Sequence, residues 1–185
     1  VFSTIDVPEI RYAMIDGEGD PQGPDIAIAI KWLFSIAHLV KPLVNKRMGK
    51  TFGNAPIEFL HWTNEKESLA TVAKDHWKWR AMMVFIDWIT QEDVDEAVAV
   101  LSKKLGPAPA TLRLDNFHEG KSVQLLHIGD YSAIRSICDG LYSSYLPNNG
   151  FVTNGYYHEI YLNDPSRVAP QKRKTVIRQP VKDGD

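Results

Sequence analysis

One cysteine, Cys138, occurs in 185 residues, so neither an intrachain disulfide nor a cysteine-based metal cluster can form. It falls in an apolar helical pattern and reads as a small buried hydrophobe rather than a nucleophile. The histidines (His38, His61, His76, His118, His127 and His158) show no HxxxH or HxH spacing, so no metal site is expected. An excess of either charge is missing as well. The 21 Lys and Arg against 23 Asp and Glu leave a formal net charge of -2, which supplies no bulk attraction to nucleic acid or to an anionic membrane. No basic helix-turn-helix pattern precedes Glu9, so direct nucleic-acid binding is not expected. No uninterrupted apolar run reaches membrane-spanning length and the N-terminus carries no signal-peptide pattern. No membrane partner is therefore expected, and the cytoplasm is the expected compartment. A Ser nucleophile elbow is also lacking. The run from Gly17 to Gly23 is no phosphate loop, because Asp20 and Pro21 interrupt it and no basic residue follows closely.

What is present suffices for a sizeable core: 44% of the residues are hydrophobic and 24% charged, an ordinary globular balance. Glu9 to Asp16 reads as a first strand ended by a Gly17–Pro21 turn. From Asp25 to about Arg47, Ile26, Ile30, Leu33, Ala37, Val40 and Val44 recur at helical spacing, with Pro42 expected to kink or tighten the last part. Pro56–Trp62 is a second strand. A polar stretch from Thr63 to Asp75 leads to a third at Trp77–Ile86. Thr90 and Asp93 have the spacing of a capping box, opening a helix that Gly106-Pro107 ends.

The second part of the chain repeats this grammar. Leu112–Phe117 and Ser122–Ile128 are expected as strands joined around Glu119-Gly120, Ser132 to about Leu146 as a helix, and Tyr156–Leu162 and Lys174–Pro180 as the final strands. Element order, rather than any long identical motif, argues for duplication. The expected fold class is α+β: a single domain over 1–185 built of tandem strand-helix-strand-strand halves, about 1–105 and 106–185. Antiparallel sheets with helices on one face would leave the other face free, with a ligand cleft at the junction of the halves.

The stretch Tyr157-His158-Glu159-Ile160-Tyr161 holds the leading site candidate. Side chains alternate along a strand, so Tyr157, Glu159 and Tyr161 share one face while His158 and Ile160 share the other. An acid between two phenol rings suits a cation, a polarised organic ligand or a general base. An edge-strand Glu in water between ordinary tyrosines has the same sequence. Trp62, Trp77 and Trp79 form a second signal, with Met83 on the face of Trp79. They fit either core packing or an aromatic box for flat or cationic ligands. His127, ahead of Gly129, is placed either near a pocket or as a hydrogen-bonded structural residue.

Several of these runs match one family. Ile15-Asp16-Gly17-Glu18-Gly19-Asp20-Pro21, Trp77-Lys78-Trp79, His127-Ile128-Gly129-Asp130-Tyr131 and, most specifically, His158 to Arg167 with Thr175 to Val181 together resemble the GyrI-like small-molecule-binding domains. These belong to the superfamily of multidrug-sensing effector domains. The resemblance spans essentially the whole chain. It implies tandem strand-helix-strand-strand units with a ligand cleft, no cofactor, and a small-molecule aromatic or cationic ligand. In drug-sensing relatives an acid meets cationic drugs, and Glu159 matches that position. Similar stand-alone members hydrolyse cyclopropane-bearing, DNA-alkylating natural products. Carried over, Glu159 and Tyr131 are the candidate catalytic residues, with Glu159 orienting water. Tyr157, Tyr161, Trp62, Trp79, Met83 and His127 are the candidate ligand-binding residues. The family's paired Trp is His61-Trp62 here, and its common Gly-Pro-Tyr is Gly129-Asp130-Tyr131. Two other functions stay open: a non-catalytic binding or sensor module, and a gyrase-inhibitor-like interaction protein.

Overall fold

The computed structural model describes residues 1–64, 69 and 72–185. Most of the polar stretch expected between Thr63 and Asp75 lies outside the described residues. The chain mixes helices with antiparallel strands, the expected class, and divides into two compact units. One, here the N-terminal unit, comprises 10–57 and 61–117; the other, the C-terminal unit, comprises 1–9, 58–60 and 118–185.

Strand β2 forms at Ile57–Trp62, as expected. In the N-terminal unit, β1 (Ser3–Glu18) pairs antiparallel with β3 (Lys78–Val84), from Tyr12 opposite Val84 to Glu18 opposite Lys78. Helix α1 (Pro24–Met48) buries Ile26, Ala29, Trp32, Leu33, Ile36, Val40 and Val44 along one stripe. Full burial of such side chains is worth about 1.5–3 kcal/mol each, which fixes the helix on β3. By length and composition α1 could cross a membrane; its buried stripe packs on β3 and on α2 (Gln91–Leu105). It runs through Pro42 to a left-handed cap at Gly49, φ 63°. The capping box forms as the spacing predicts: Asp93 N–H donates to Thr90 Oγ1 (3.1 Å) and Thr90 N–H to Asp93 Oδ2 (2.9 Å). Arg47 adds a two-pronged bond to Asp93, at 2.9 and 2.8 Å.

In the C-terminal unit β7 (Lys174–Asp183) is the central strand. It pairs antiparallel with β4 (Arg113–Ile128), β6 (Tyr157–Tyr161) and the short β5 (Phe151–Thr153). Two expectations change here. The separate strands expected on either side of Glu119-Gly120 are one continuous β4, which passes Gly120 at φ 74°. Glycine reaches that left-handed conformation without a Cβ penalty, so the glycine bends the strand without ending it. β5 was not legible at all, because three residues are too few for an alternation to register. The expected helix over 132–146 is composite: a 3-10 turn at Tyr131–Ala133, α3 (Ile134–Gly140), a π turn at Leu141–Tyr145 and α4 (Leu146–Asn148). Val123, Leu141, Leu146 and Val181 form the core beneath it.

Candidate functional site

Tyr157, Glu159 and Tyr161 do share one face of β6, and their side chains join. Tyr157 O–H donates to Glu159 Oε1 at 2.7 Å, and Tyr161 O–H donates to Oε2. Each carboxylate oxygen thus receives one phenol. An ionised carboxylate has about four acceptor sites, so roughly two remain for water or a ligand. Burial first, then the nearby Glu159 charge, pushes both phenols well above the ordinary tyrosine range. They therefore stay protonated donors at neutral pH.

Aromatic rings extend the cluster. Phe59 and Tyr131 both meet Tyr161 edge-on, with centroids 5.8 and 5.5 Å away. The Arg173 guanidinium lies 4.7 Å over the Tyr131 ring, so one candidate aromatic already carries a cation. Tyr131 is positioned by the turn ahead of α3, where Asp130 caps the 3-10 turn by accepting from Ser132 N–H at 2.9 Å. Cys138 contributes a polar link that the sequence did not suggest. Its thiol lies 3.3 Å from the Tyr157 hydroxyl as donor, extending the chain that ends on Glu159. Burial raises the Cys138 thiol above its usual range, which keeps it in the S–H form.

The other face of β6 carries a network absent from the sequence reading. His158 is fully buried, donating through Nδ1 to Glu119 Oε2 and through Nε2 to Glu58 Oε1, each at 2.8 Å. Glu119 also accepts from Arg178 Nη1 at 2.9 Å, and Arg178 Nε donates to Gln124 at 3.0 Å. Burial alone would depress the His158 imidazole, but its bonds to Glu119 and Glu58 outweigh that and hold it above its ordinary value. Burial likewise opposes the charge on Glu119, and the partners His158 and Arg178 overcome it, leaving its carboxyl below the usual range. The available signal was a histidine on a core-facing strand position, which must find partners or stay costly.

The remaining candidates fall as follows. His127 is half-buried and in the C-terminal unit; its Nε2 donates to the Asp130 carbonyl at 2.8 Å. Trp79, Trp62 and Met83 belong to the N-terminal unit. Trp79 is 2% exposed and lies on Gly17, where any Cβ would come within 2.2 Å of the indole. Trp62 has the Arg80 guanidinium 5.5 Å over its ring. That arginine is held by Asp16 at 2.7 and 3.0 Å. Met83 is buried and lines a cavity between α1, α2 and the end of β3.

The fold is that of a domain for small-molecule ligands. The chain belongs to the GyrI-like small molecule binding domain family, whose model matches residues 2–182. A conserved protein from Listeria innocua, described as uncharacterized, is 29% identical, with 98% of this chain and 92% of that one covered and a TM-score of 0.85. A hydrolase from the same organism is 30% identical, with 98% and 91% covered and a TM-score of 0.77. SAV2435, solved bound to tetraphenylphosphonium, shares the fold at 13% identity, with 98% and 94% covered and a TM-score of 0.52. No curated protein matches the chain.

Proposed function

We propose that the chain binds an aromatic, cationic or electrophilic small molecule against the Tyr157–Glu159–Tyr161 face, and that it hydrolyses cyclopropane-bearing alkylating compounds there. The observation that carries this reading is the Glu159 carboxylate held by a phenol on each oxygen. Two donors fix its orientation and leave roughly two of its acceptor sites, and a fixed acceptor is the preorganisation a water-directing group needs. A cyclopropane conjugated to a carbonyl is opened by water in one step. The water oxygen bonds to a ring carbon, one ring C–C bond breaks, and its electron pair passes to the carbonyl oxygen. Glu159 accepts a water proton and the carbonyl oxygen gains one. Tyr131, edge-on to Tyr161, is the donor assigned to that oxygen. The hydrolase from Listeria innocua supports the reaction class.

A second reading is a ligand sink or sensor without turnover. It draws on the same carboxylate, which suits a lipophilic cation of the kind bound by SAV2435. The two readings separate in one experiment. The protein is incubated with a cyclopropane-bearing alkylator in 18O-labelled water, and the product is followed by mass spectrometry. Catalytic ring opening with one labelled oxygen, lost in Glu159→Gln, is expected. Tight binding of the intact compound with no turnover would overturn the hydrolase reading and leave the sensor.

A further inference from the structure

The N-terminal unit contains a cavity of about 700 Å³ between α1, the segment from Phe52 to Ala55, the end of β3 and the end of α2. Its size falls in the range that holds drug-sized ligands, roughly 300–1,000 Å³. The apolar part includes Phe34, Phe52 and the fully buried Phe85. Phe34 remains 44% exposed although it sits on a helix whose opposite stripe is closed, so its ring is surface the fold has not covered. Phe34, His38 and Lys41 recur at i, i+4 and i+7, which brings an aromatic ring, an imidazole and an ammonium onto one face of α1. Lys104 faces the same space from α2.

Charge then selects the occupant. Lys41 and Lys104 line the cavity, and the lining includes no Asp or Glu. Among the described residues neither lysine forms an ion pair. Lys41 is nevertheless placed: its ammonium donates to the Asn54 side-chain carbonyl and lies 5.6 Å from the Phe52 ring centroid. An ammonium held at the mouth of an apolar cavity, in a chain of net negative charge, is arranged to meet an anion. We propose that this cavity binds a small anionic amphiphile, a carboxylate or sulfonate on an aromatic body, with the rings against Phe34, Phe52 and Phe85 and the anion between Lys41 and Lys104. This preference is opposite in sign to that of Glu159, and the inference does not depend on the function proposed for that residue.

The test is calorimetric titration of the full chain with naphthoate and with its neutral amide, at low salt. Naphthoate should bind at least about fivefold more tightly than the amide, and added salt should erode the difference. Lys41→Gln and Lys104→Gln should each weaken naphthoate by about two- to fivefold while leaving the amide unchanged. Ser35→Trp, which places an indole in the cavity, should abolish both; if that variant does not fold, the lysine variants decide alone. No naphthoate binding, equal binding of the amide, or unchanged affinity in the double lysine variant would each overturn the proposal.

Discussion

His158 Nδ1 and Glu119 Oε2 lie 2.8 Å apart with both side chains shut off from water. The imidazole bonds a second carboxylate, Glu58, through its other nitrogen, and Arg178 bonds Glu119. Among the described residues of this network, two carboxylates and one guanidinium leave a surplus negative charge, which a protonated imidazole offsets. Charge balance and the double donor geometry thus agree with the raised affinity of His158 for its proton. A buried group of this kind confers little net stability as a set, yet losing one member exposes the rest as uncompensated charge.

Glu119→Gln and His158→Gln should therefore each lower the unfolding free energy by about 3–5 kcal/mol. The pH dependence distinguishes them. Because the folded protein raises the His158 pKa, its contribution is full below the unfolded value of 6.5 and is lost as pH rises through the folded value. Urea unfolding from pH 5.5 upward should show wild-type stability declining above about pH 6.5, and His158→Gln should lack that decline. Parallel pH curves for the two proteins would show that His158 is not the titrating group.

The sequence carried the element pattern well where a local signal was strong. The Thr90–Asp93 box and the apolar spacing of α1 located two helices to within a residue or two, because caps and periodicity act within one turn. The shared face of Tyr157, Glu159 and Tyr161 followed from strand alternation alone. What stayed illegible was long-range. Glu58 and His158 are 100 residues apart, and Glu119 and Arg178 are 59 apart. No spacing rule joins them; register between strands does. The same limit applies to Trp79. Alternation put it on the face of Met83, but only the pairing of Gly17 with Trp79 across β1 and β3 shows the indole resting on a glycine.

That glycine makes a sharp packing prediction. Gly17→Ala would put a methyl within 2.2 Å of the Trp79 ring, so ring or strand must shift. Overpacking of this order costs about 1–3 kcal/mol. Thermal unfolding should show the loss, and adding Trp79→Leu should recover part of it. Strict additivity of the two substitutions would mean that the contact is not the cause.

The cap of α2 gives an acid-side counterpart. Thr90→Ala removes the acceptor for the Asp93 amide and should cost about 1 kcal/mol. The Arg47 hydrogen bonds, with the Thr90 amide, hold the Asp93 carboxyl below its usual range despite burial. Its contribution is thus present above the unfolded value of 3.8 and is lost as pH falls through the lower folded one. Asp93→Asn should flatten the acid limb of the stability curve below about pH 4 and leave the neutral limb parallel to wild type.

The phenols on Glu159 bear on whether that residue directs chemistry or only attracts charge. Tyr161→Phe keeps the ring that meets Phe59 and Tyr131 and deletes only the donor to Oε2. Losing one such bond should cost about 1 kcal/mol of stability, small enough to leave the fold intact. Attraction of a cation depends on the charge of Glu159, which the substitution leaves in place, so affinity for tetraphenylphosphonium should change less than about threefold. Direction of a water molecule depends on where the carboxylate points, so ring-opening kcat should fall about tenfold, equivalent to about 1.4 kcal/mol of lost positioning. Tyr157→Phe should do the same, with the added loss of the acceptor for the Cys138 thiol. A fall in kcat with KM unchanged identifies orientation as the role of the phenols. A matched fall in affinity for every cation tested would instead assign them to charge recognition, and Glu159 would then be a ligand anchor rather than a catalytic residue.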